Sequence, residues 1–524
     1  MKFATAQKFV FNNIDSILIA ITGFIFILLL AKYGGIGISP DSVTYASVAK
    51  NLVAHGKLIE YDEMPYVDFP VGYPVFLSIF FKLFGDDYVH TGTYINALLF
   101  AVLILMCGLA MNRFTYTSRL YKIVVLLCIL LSPGLLEVYS MIWSETLFIF
   151  LAVLFILMLH KYLNTLNISA LFAAAFIAAT ICIIRYAGIC VIGVGGFVLL
   201  FMKHKTIKQK TVHIILFGLT ACSFLVFNLI RNFYALGYLT GEREKSLTSL
   251  TGNFNYFGIT LYDWLPYAFN HYLPETIFGI AVVLLLGAAV IWHLVTKKHN
   301  TSFEYIAATF AFGYISFMII TATVSRFEAL NSRLFSPAFI PMLWVLAYWL
   351  NKTVIASKGW KRFLVICFNV FIAVFFICNE FIPSYGNYSD IKDYGIPGYT
   401  DDDWRLSPTV KYIQRDSVFR SDFDMYSNAN DAVFFFTGRS TQRLPHRQSP
   451  DEIKEFNDDD HFYIVWFNLG FDPDIIALKD ILKNKPMKLI KQFPDGAVYM
   501  TIDADMLNIN KTLATPKPTV ILHK

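Results

Sequence analysis

Long apolar runs alternate with short polar segments over the first 383 residues, and this pattern stops near residue 384. A membrane-spanning helix needs about 20 mostly apolar residues. The pattern therefore predicts an α-helical polytopic membrane protein with about eleven transmembrane helices, of which the third, fifth and sixth are short. The predicted spans are 16–33, 92–112, 120–133, 142–160, 168–184, 188–202, 212–230, 275–295, 304–323, 334–350 and 363–380.

Polar residues collect in two long loops, 34–91 and 231–274, and in the C-terminal tail. The tail is as long as a typical domain of about 100–150 residues. Its pattern predicts helices at 407–416, 451–456 and 472–483, strands at 423–427 and 461–466, and a hairpin of 487–493 with 497–501. We therefore predict a transmembrane domain over 1–383 and a C-terminal extracytoplasmic α/β domain over 384–524.

The distribution of Lys and Arg predicts the orientation in the membrane. Six short segments on one side of the predicted spans hold sixteen basic residues and one acidic residue, Asp15: 1–15, 113–122, 161–167, 203–211, 296–303 and 351–362. Short cytoplasmic segments are enriched in Lys and Arg. We therefore expect a cytoplasmic N-terminus, a C-terminal domain outside the cell, and a location in the plasma (inner) membrane.

Composition excludes several classes of protein. Only 15% of the residues are charged and 56% are hydrophobic, whereas about 25% of the residues in a soluble protein are charged. This composition excludes a cytosolic enzyme, a disordered chain and a nucleic-acid-binding protein. All seven cysteines lie in apolar runs, so we expect no disulfide framework, no metal site and no cofactor.

The candidate chemistry lies at the outer ends of the predicted spans. No charged residue falls in the middle of a span, whereas ion-coupled transporters usually carry ionisable groups at that depth. Eight ionisable residues lie at the outer ends: Glu145, Arg185, Arg231, Glu275, Arg326, Glu328, Arg333 and Glu380. A site at the outer membrane–water boundary is therefore favoured over a path across the membrane.

The first outer loop contains two candidate carboxylates, Asp41 and Asp68. Asp41 begins a helical stretch and is interpreted either as the N-cap of that helix or as a functional carboxylate near the lipid headgroups. Tyr45 lies four residues later on the same helix face. Asp68 precedes the rigid segment 70–74 and is either functional or a solvated loop acid.

Five short motifs resemble the GT-C superfamily of membrane glycosyltransferases. They are Asp41-x-x-x-Tyr45-Ala46, Pro70-x-x-Tyr73-Pro74, Trp143-Ser144-Glu145-Thr146, Arg185-Tyr186-Ala187-Gly188 and Asn331-Ser332-Arg333-Leu334. The protein O-mannosyltransferases, the lipid A aminoarabinose transferases and their bacterial kin are the most similar branches. Mannosyltransferases often have Asp-Glu where this chain has Asp41-Ser42, and the Lys-Pro-Pro-Leu type motif of aminoarabinose transferases is Phe69-Pro70-Val71-Gly72 here. These differences favour a generic lipid-linked sugar transferase.

The resemblance implies a donor sugar on a polyprenyl phosphate and a glycan, lipid or protein acceptor outside the cell. It implies an inverting reaction with Asp41 as general base, and with Asp68 and Glu145 as further candidates at the catalytic centre. Arg185, Arg333 and Arg326 are the candidates for stabilising the phosphate, with Tyr45 beside them. Each arginine is alternatively a membrane-interface anchor, and Glu145 is alternatively a favourable charge at a helix N-terminus.

Two other functions stay open from the sequence. The chain is alternatively a transporter or flippase of a lipid-linked glycan, or a non-catalytic scaffold of the cell envelope. The lack of mid-span charge disfavours transport, and the presence of Asp41 disfavours a scaffold with a decayed site.

Overall fold

The structure is a computed structural model of the 524-residue chain. It describes residues 10–112, 118–203, 205–241, 245–265, 273–296, 301–326, 328–415, 419–420, 422–469 and 474–502. The chain divides into two compact units. The first, the membrane unit, comprises 1–58 and 65–397, and the second, the C-terminal unit, comprises 398–524 together with the short segment 59–64 of the first outer loop.

Each predicted span lies on a helix of the membrane unit. These helices are α1 (Ile14–Leu30), α4 (Tyr88–Met111), α5 (Arg119–Leu130), α7 (Ser144–Thr165), α8 (Ile168–Ile184), α9 (Ile189–Leu200), α10 (Ile207–Leu236), α12 (Glu275–Thr296), α13 (Phe303–Val324), α14 (Ser332–Ala356) and α15 (Gly359–Tyr394). Four further helices lie between them: α2 (Pro40–His55), α3 (Gly72–Phe84), α6 (Pro133–Tyr139) and α11 (Leu250–Asp263).

Among the described residues, seven helices are long and apolar enough to cross a membrane, namely α4, α7, α10, α12, α13, α14 and α15. The number is eight if α5 and α6 form one span, which is bent by 57°. The bend follows from the sequence Ser132-Pro133, because Ser132 caps a new helix and a proline is favoured at its first position. The protein is thus a multi-pass membrane protein, and the number of eleven spans stays a prediction.

Helix α2 begins differently from the sequence interpretation. Its N-cap is Ser39, whose hydroxyl accepts the Ser42 N–H at 3.4 Å, while the Ser39 N–H donates to the Ser42 hydroxyl at 3.1 Å. Pro40 occupies the first helical position, where its missing N–H costs nothing. The interpretation of Asp41 as the N-cap is therefore wrong, and its carboxylate makes other contacts.

A buried ion pair joins α1 to α5 on the predicted cytoplasmic side. The Lys122 Nζ lies 2.8 Å from the Asp15 Oδ1, and these side chains are 3% and 5% exposed. Lys122 also donates to the Asn112 Oδ1 at 3.1 Å. The removal of either charge would leave the other uncompensated in the protein interior, which is strongly destabilising.

The C-terminal unit contains a five-stranded sheet in the order β2-β1-β3-β5-β4. The strands are β1 (Asp424–Ser427), β2 (Gln442–Arg443), β3 (Phe462–Phe467), β4 (Met487–Phe493) and β5 (Gly496–Thr501). Strand β1 pairs in parallel with β2 and β3, and the other two pairings are antiparallel. The helices are α16 (Asp402–Arg405), α17 (Pro408–Ile413), α18 (Asn430–Thr437), α19 (Pro450–Asp458) and α20 (Leu478–Asn484).

Both faces of this sheet are covered by apolar residues. Alternate residues of β3, such as Val465 and Ile464, belong to separate clusters, one with α17 and α18 and the other with α19 and α20. This is the period-2 burial of a strand between two helical layers. The predicted small α/β domain is confirmed, although the predicted elements do not include α16, α18 or β2. The predicted boundary at 383/384 falls within α15, and the division of the chain into domains stays a prediction.

Candidate active site

A cluster of charged side chains in the membrane unit joins four separate parts of the sequence. Asp41 lies in the first turn of α2, and Glu145 in the first turn of α7. Arg185 follows the last residue of α8, and Arg333 lies in the first turn of α14. The structure thus brings together four of the residues that the sequence selected, and we call them the Arg333 cluster.

Arg333 lies at the centre of the Arg333 cluster and contacts three carboxylates. Its Nε donates to the Glu145 Oε1 at 2.6 Å, and its Nη2 donates to the Asp41 Oδ2. Its Nη1 lies 3.8 Å from the Glu328 Oε1. The flat face of the guanidinium lies 4.1 Å from the ring centroid of Trp143, a cation–π contact. Two nitrogens are thus hydrogen-bonded to carboxylates, and one face of the guanidinium is covered by Trp143.

Glu145 is the most buried member of the Arg333 cluster, with 1% of its side chain exposed. Besides Arg333, its Oε1 pairs with the Arg185 Nη1 at 2.8 Å. Arg185 also donates to the Ser144 hydroxyl at 2.9 Å. A buried carboxylate is tolerated when it is paired and hydrogen-bonded, so the two arginines account for an acidic residue at this depth.

Exposure separates the carboxylates that contact Arg333. The side chain of Asp41 is 27% exposed, and that of Glu328 is 53% exposed. Asp41 is therefore the closely paired carboxylate that a molecule outside the protein can reach.

Tyr45 is buried next to the Arg333 cluster, with 1% of its surface exposed. Its hydroxyl is 3.3 Å from the Ser144 hydroxyl. Its ring makes edge-to-face contacts with Phe69 at 5.4 Å and Tyr73 at 5.1 Å. Because Ser144 accepts from Arg185, Tyr45 connects the first outer loop to the arginines, and its role in phosphate binding stays a prediction.

The two remaining predicted residues lie on connecting segments. Asp68 is exposed and packs closely against Gly241, where a side chain larger than hydrogen would collide with the carboxylate. Arg326 follows α13 and is partly buried. The functional roles of Asp68 and Arg326 stay predictions.

Sequence reasoning assigned no role to the polar residues near the end of α10. Arg231 donates to the Tyr66 carbonyl at 2.6 Å, Asn232 donates to the Val67 carbonyl at 3.3 Å, and Asn228 accepts the Val71 N–H at 3.4 Å. Asn228 and Asn232 are fully buried. These bonds hold the part of the first outer loop that carries Asp68 and Phe69. In the sequence, Asn228, Arg231 and Asn232 are polar residues at positions i, i+3 and i+4 of an apolar helix, and this spacing could have identified them as one polar face.

The same asparagines connect this loop to the arginine turn. Asn232 donates to the Tyr186 hydroxyl at 3.1 Å, and Asn228 donates to it at 3.4 Å. Tyr186 follows Arg185 directly, so the loop and Arg185 share one hydrogen-bonded support. The sequence identifies Trp143 and Ser144 only as parts of a motif. In the structure, Trp143 contacts Arg333 and Ser144 accepts a hydrogen bond from Arg185.

The Arg333 cluster offers two chemical groups to a bound molecule. Asp41 offers a carboxylate that can accept a proton, and Arg333 and Arg185 offer guanidinium groups, which suit phosphate oxygens. Within the described ranges, no group of three or more His, Cys, Asp or Glu residues is arranged to hold a metal ion.

No family model and no curated protein matches the sequence. Solved structures do match the fold. ArnT from Cupriavidus metallidurans, bound to undecaprenyl phosphate, has a TM-score of 0.58 and 12% identity, over 95% of this chain and 99% of that chain. The oligosaccharyltransferase AglB from Archaeoglobus fulgidus, in complex with an inhibitory peptide and a dolichol-phosphate, has a TM-score of 0.50 and 11% identity, over 86% of this chain and 69% of that chain.

Both of these proteins belong to the GT-C superfamily. The similarity to ArnT extends over nearly all of both chains, including the part after the last predicted span. The chain therefore has the GT-C fold, and the resemblance seen in the five short motifs is confirmed at the level of the fold.

Proposed function

We propose that this chain, which has the GT-C fold, is an integral-membrane glycosyltransferase. It moves a sugar from a polyprenyl-phosphate-linked donor to a glycan, lipid or protein acceptor outside the cell. The observation that carries the proposal is the Arg333 cluster, in which a partly exposed carboxylate and two arginines lie together at helix ends. This is the pair of groups that transfer from a sugar phosphate requires.

The donor is proposed from the phosphate chemistry of the site. ArnT is described with undecaprenyl phosphate and AglB with a dolichol-phosphate, and both lipids carry a phosphate on a long polyprenyl chain. In this chain, Arg333 and Arg185 are the groups that would neutralise the charge of such a phosphate as it leaves. A guanidinium can bind two phosphate oxygens at once, which fits the leaving group in geometry as well as charge.

The acceptor is activated by Asp41. As the acceptor oxygen bonds to the anomeric carbon, its proton passes to the Asp41 carboxylate, and the bond between that carbon and the phosphate oxygen breaks. The electron pair of the broken bond stays on the phosphate, where arginine stabilises it. A single displacement of this kind inverts the anomeric configuration. Glu145 holds both arginines in position and does not meet the acceptor, because it is buried.

The proposed reaction takes place on the outer face of the plasma membrane. The excess of Lys and Arg on the opposite side supports a cytoplasmic N-terminus and an extracytoplasmic C-terminal unit. The phosphate of a lipid-linked donor would then lie at the depth of the helix ends that carry the Arg333 cluster.

The test uses the purified full-length protein in liposomes, with a polyprenyl-phosphate sugar that is radiolabelled in both the sugar and the lipid. A glycosyltransferase releases free polyprenyl phosphate and places the sugar label on an acceptor from a membrane extract. A flippase moves the intact donor between leaflets without releasing free polyprenyl phosphate. A scaffold neither moves the donor nor releases polyprenyl phosphate. Absence of released polyprenyl phosphate with every acceptor fraction would refute the proposal. Mass spectrometry of surface glycans from a deletion strain would identify the acceptor.

A further inference from the structure

Two of the three guanidinium nitrogens of Arg333 are hydrogen-bonded to carboxylates, and the third lies near a carboxylate at a longer distance. Its Nε contacts Glu145 at 2.6 Å, its Nη2 contacts Asp41, and its Nη1 lies 3.8 Å from Glu328. The indole of Trp143 covers one face. A phosphate binds a guanidinium through N–H donors in the plane of the group. A phosphate that binds two adjacent nitrogens of Arg333 uses Nη2, to which Asp41 is already hydrogen-bonded, so the two anions compete for that nitrogen.

Burial decides which carboxylate can leave. Glu145 is 1% exposed and also pairs with Arg185 at 2.8 Å, so its removal would leave two arginines without their shared partner. Asp41 is 27% exposed and lies in the first turn of α2, where solvent can replace the lost contact. Glu328 is more exposed still, but at 3.8 Å it already lies beyond hydrogen-bond distance. Of the two carboxylates hydrogen-bonded to Arg333, Asp41 is therefore the one that can be displaced with the smaller loss of free energy, and its displacement frees N–H donors of Arg333.

We propose an ion-pair exchange in the Arg333 cluster. The donor phosphate replaces Asp41 on Arg333, and Asp41 is thereby freed to take the proton of the acceptor. This inference rests on the proposed function and adds an order to it: the base becomes available only after the donor is bound. Glu145 stays on Arg333 throughout and keeps the guanidinium in place during the exchange.

The exchange balances the charges of the reaction. Before donor binding, the Asp41 carboxylate is compensated by Arg333. After donor binding, the phosphate monoanion takes that role, and the Asp41 carboxylate faces the acceptor hydroxyl. During transfer, the acceptor proton neutralises Asp41 while the departing phosphate gains a negative charge beside Arg333. Release of the lipid phosphate and of the proton then restores the Asp41–Arg333 pair.

The exchange predicts competition between Asp41 and a lipid phosphate, which binding measurements can detect without turnover. The probe is undecaprenyl phosphate, titrated into full-length protein in detergent. We expect Asp41→Asn to bind the probe about two- to five-fold more tightly than wild type, the range for a partly exposed ion pair that no longer competes. Asp41→Ala, measured in parallel, removes the same charge in a second way and should give the same sign.

A double-mutant cycle tests whether Arg333 mediates this effect. Arg333→Gln should weaken binding of the probe, and Asp41→Asn should then no longer tighten it. Asp86→Asn is the matched control. It also removes one carboxylate from the first outer loop, but Asp86 pairs with Lys50 at 3.4 Å, so its loss should leave affinity within two-fold of wild type.

Each result has one meaning for the proposal. Unchanged or weaker binding in both Asp41 variants would overturn the exchange and leave the proposed function standing. Tightening that persists in the Arg333→Gln background, or that Asp86→Asn reproduces, would show a general charge effect and would also overturn it. No binding of the probe to the wild type would count against the proposed function itself.

Discussion

The substitution Asp41→Asn separates the chemistry of the proposed site from its structural support. Asparagine keeps the shape of the side chain and can still contact Arg333, but it cannot take a proton from the acceptor. Because Ser39 and Ser42 form the capping box of α2, the substitution leaves the helix cap intact. Any loss of activity therefore comes from the carboxylate.

The structure sets two magnitudes for this variant. A positioned general base contributes about 10²–10⁴-fold to the rate, so turnover at saturating donor should fall at least about 10²-fold. The ion pair with Arg333 is partly exposed, with 27% of Asp41 accessible, and exposed pairs contribute about 0.2–1 kcal/mol. The free energy of unfolding should therefore change by no more than about 1 kcal/mol.

The activity assay measures initial rates of polyprenyl phosphate release. Thermal unfolding in detergent measures the stability of each variant. Asp86→Asn serves as the control, because Asp86 is 71% exposed and pairs with Lys50. Both its rate and its stability should match wild type. Near-normal turnover of Asp41→Asn would refute the assignment of Asp41 as base and would leave Asp68 as the remaining exposed candidate.

Three further predictions concern the other parts of the site and the topology. Glu145→Gln should lower the free energy of unfolding by about 3 kcal/mol, because it breaks a buried pair with two arginines; an unchanged denaturation midpoint would contradict this. Arg333→Ala should lower turnover strongly and Arg333→Lys should restore it only in part, since an ammonium does not bind two phosphate oxygens in one plane; full activity of the Ala variants of Arg333 and Arg185 would make both of them interface anchors. A reporter that works only outside the cytosol should be active after Lys524 and silent at Lys205, and the reverse pattern would reverse the predicted orientation.

The helices were largely predictable because a membrane imposes a local rule. Each spanning segment must be apolar over its whole length and must satisfy its own backbone hydrogen bonds. Apolar runs therefore located the starts of these helices to within a few residues, as for 142–160 and Ser144–Thr165, whereas the last helix, predicted over 363–380, extends over Gly359–Tyr394. The strands β1 and β3 were found for a similar reason, since a short apolar run between turn residues has few alternatives.

Local sequence was less decisive at helix ends. In Ser39-Pro40-Asp41-Ser42, three side chains can accept the hydrogen bond of an N-cap. The sequence interpretation weighed Asp41, whereas the structure uses Ser39. The segment 120–133 is predicted as a short span, and the structure adds a bend of 57° at its end, between α5 and α6. Such choices depend on backbone direction, which the neighbouring helices set.

The sequence alone determined the class of protein, the helices, the candidate residues and the superfamily resemblance. Hydropathy, charge bias and short motifs are properties of residues that are close together in the sequence. The sequence did not determine which charges meet. Arg333 and Asp41 are 292 positions apart, and only the packing of α2, α7 and α14 brings them to one carboxylate–guanidinium cluster. The tertiary structure also decided that Glu145 is buried while Asp41 is reachable, because exposure depends on which helices cover a side chain. That difference assigns support to Glu145 and proton transfer to Asp41.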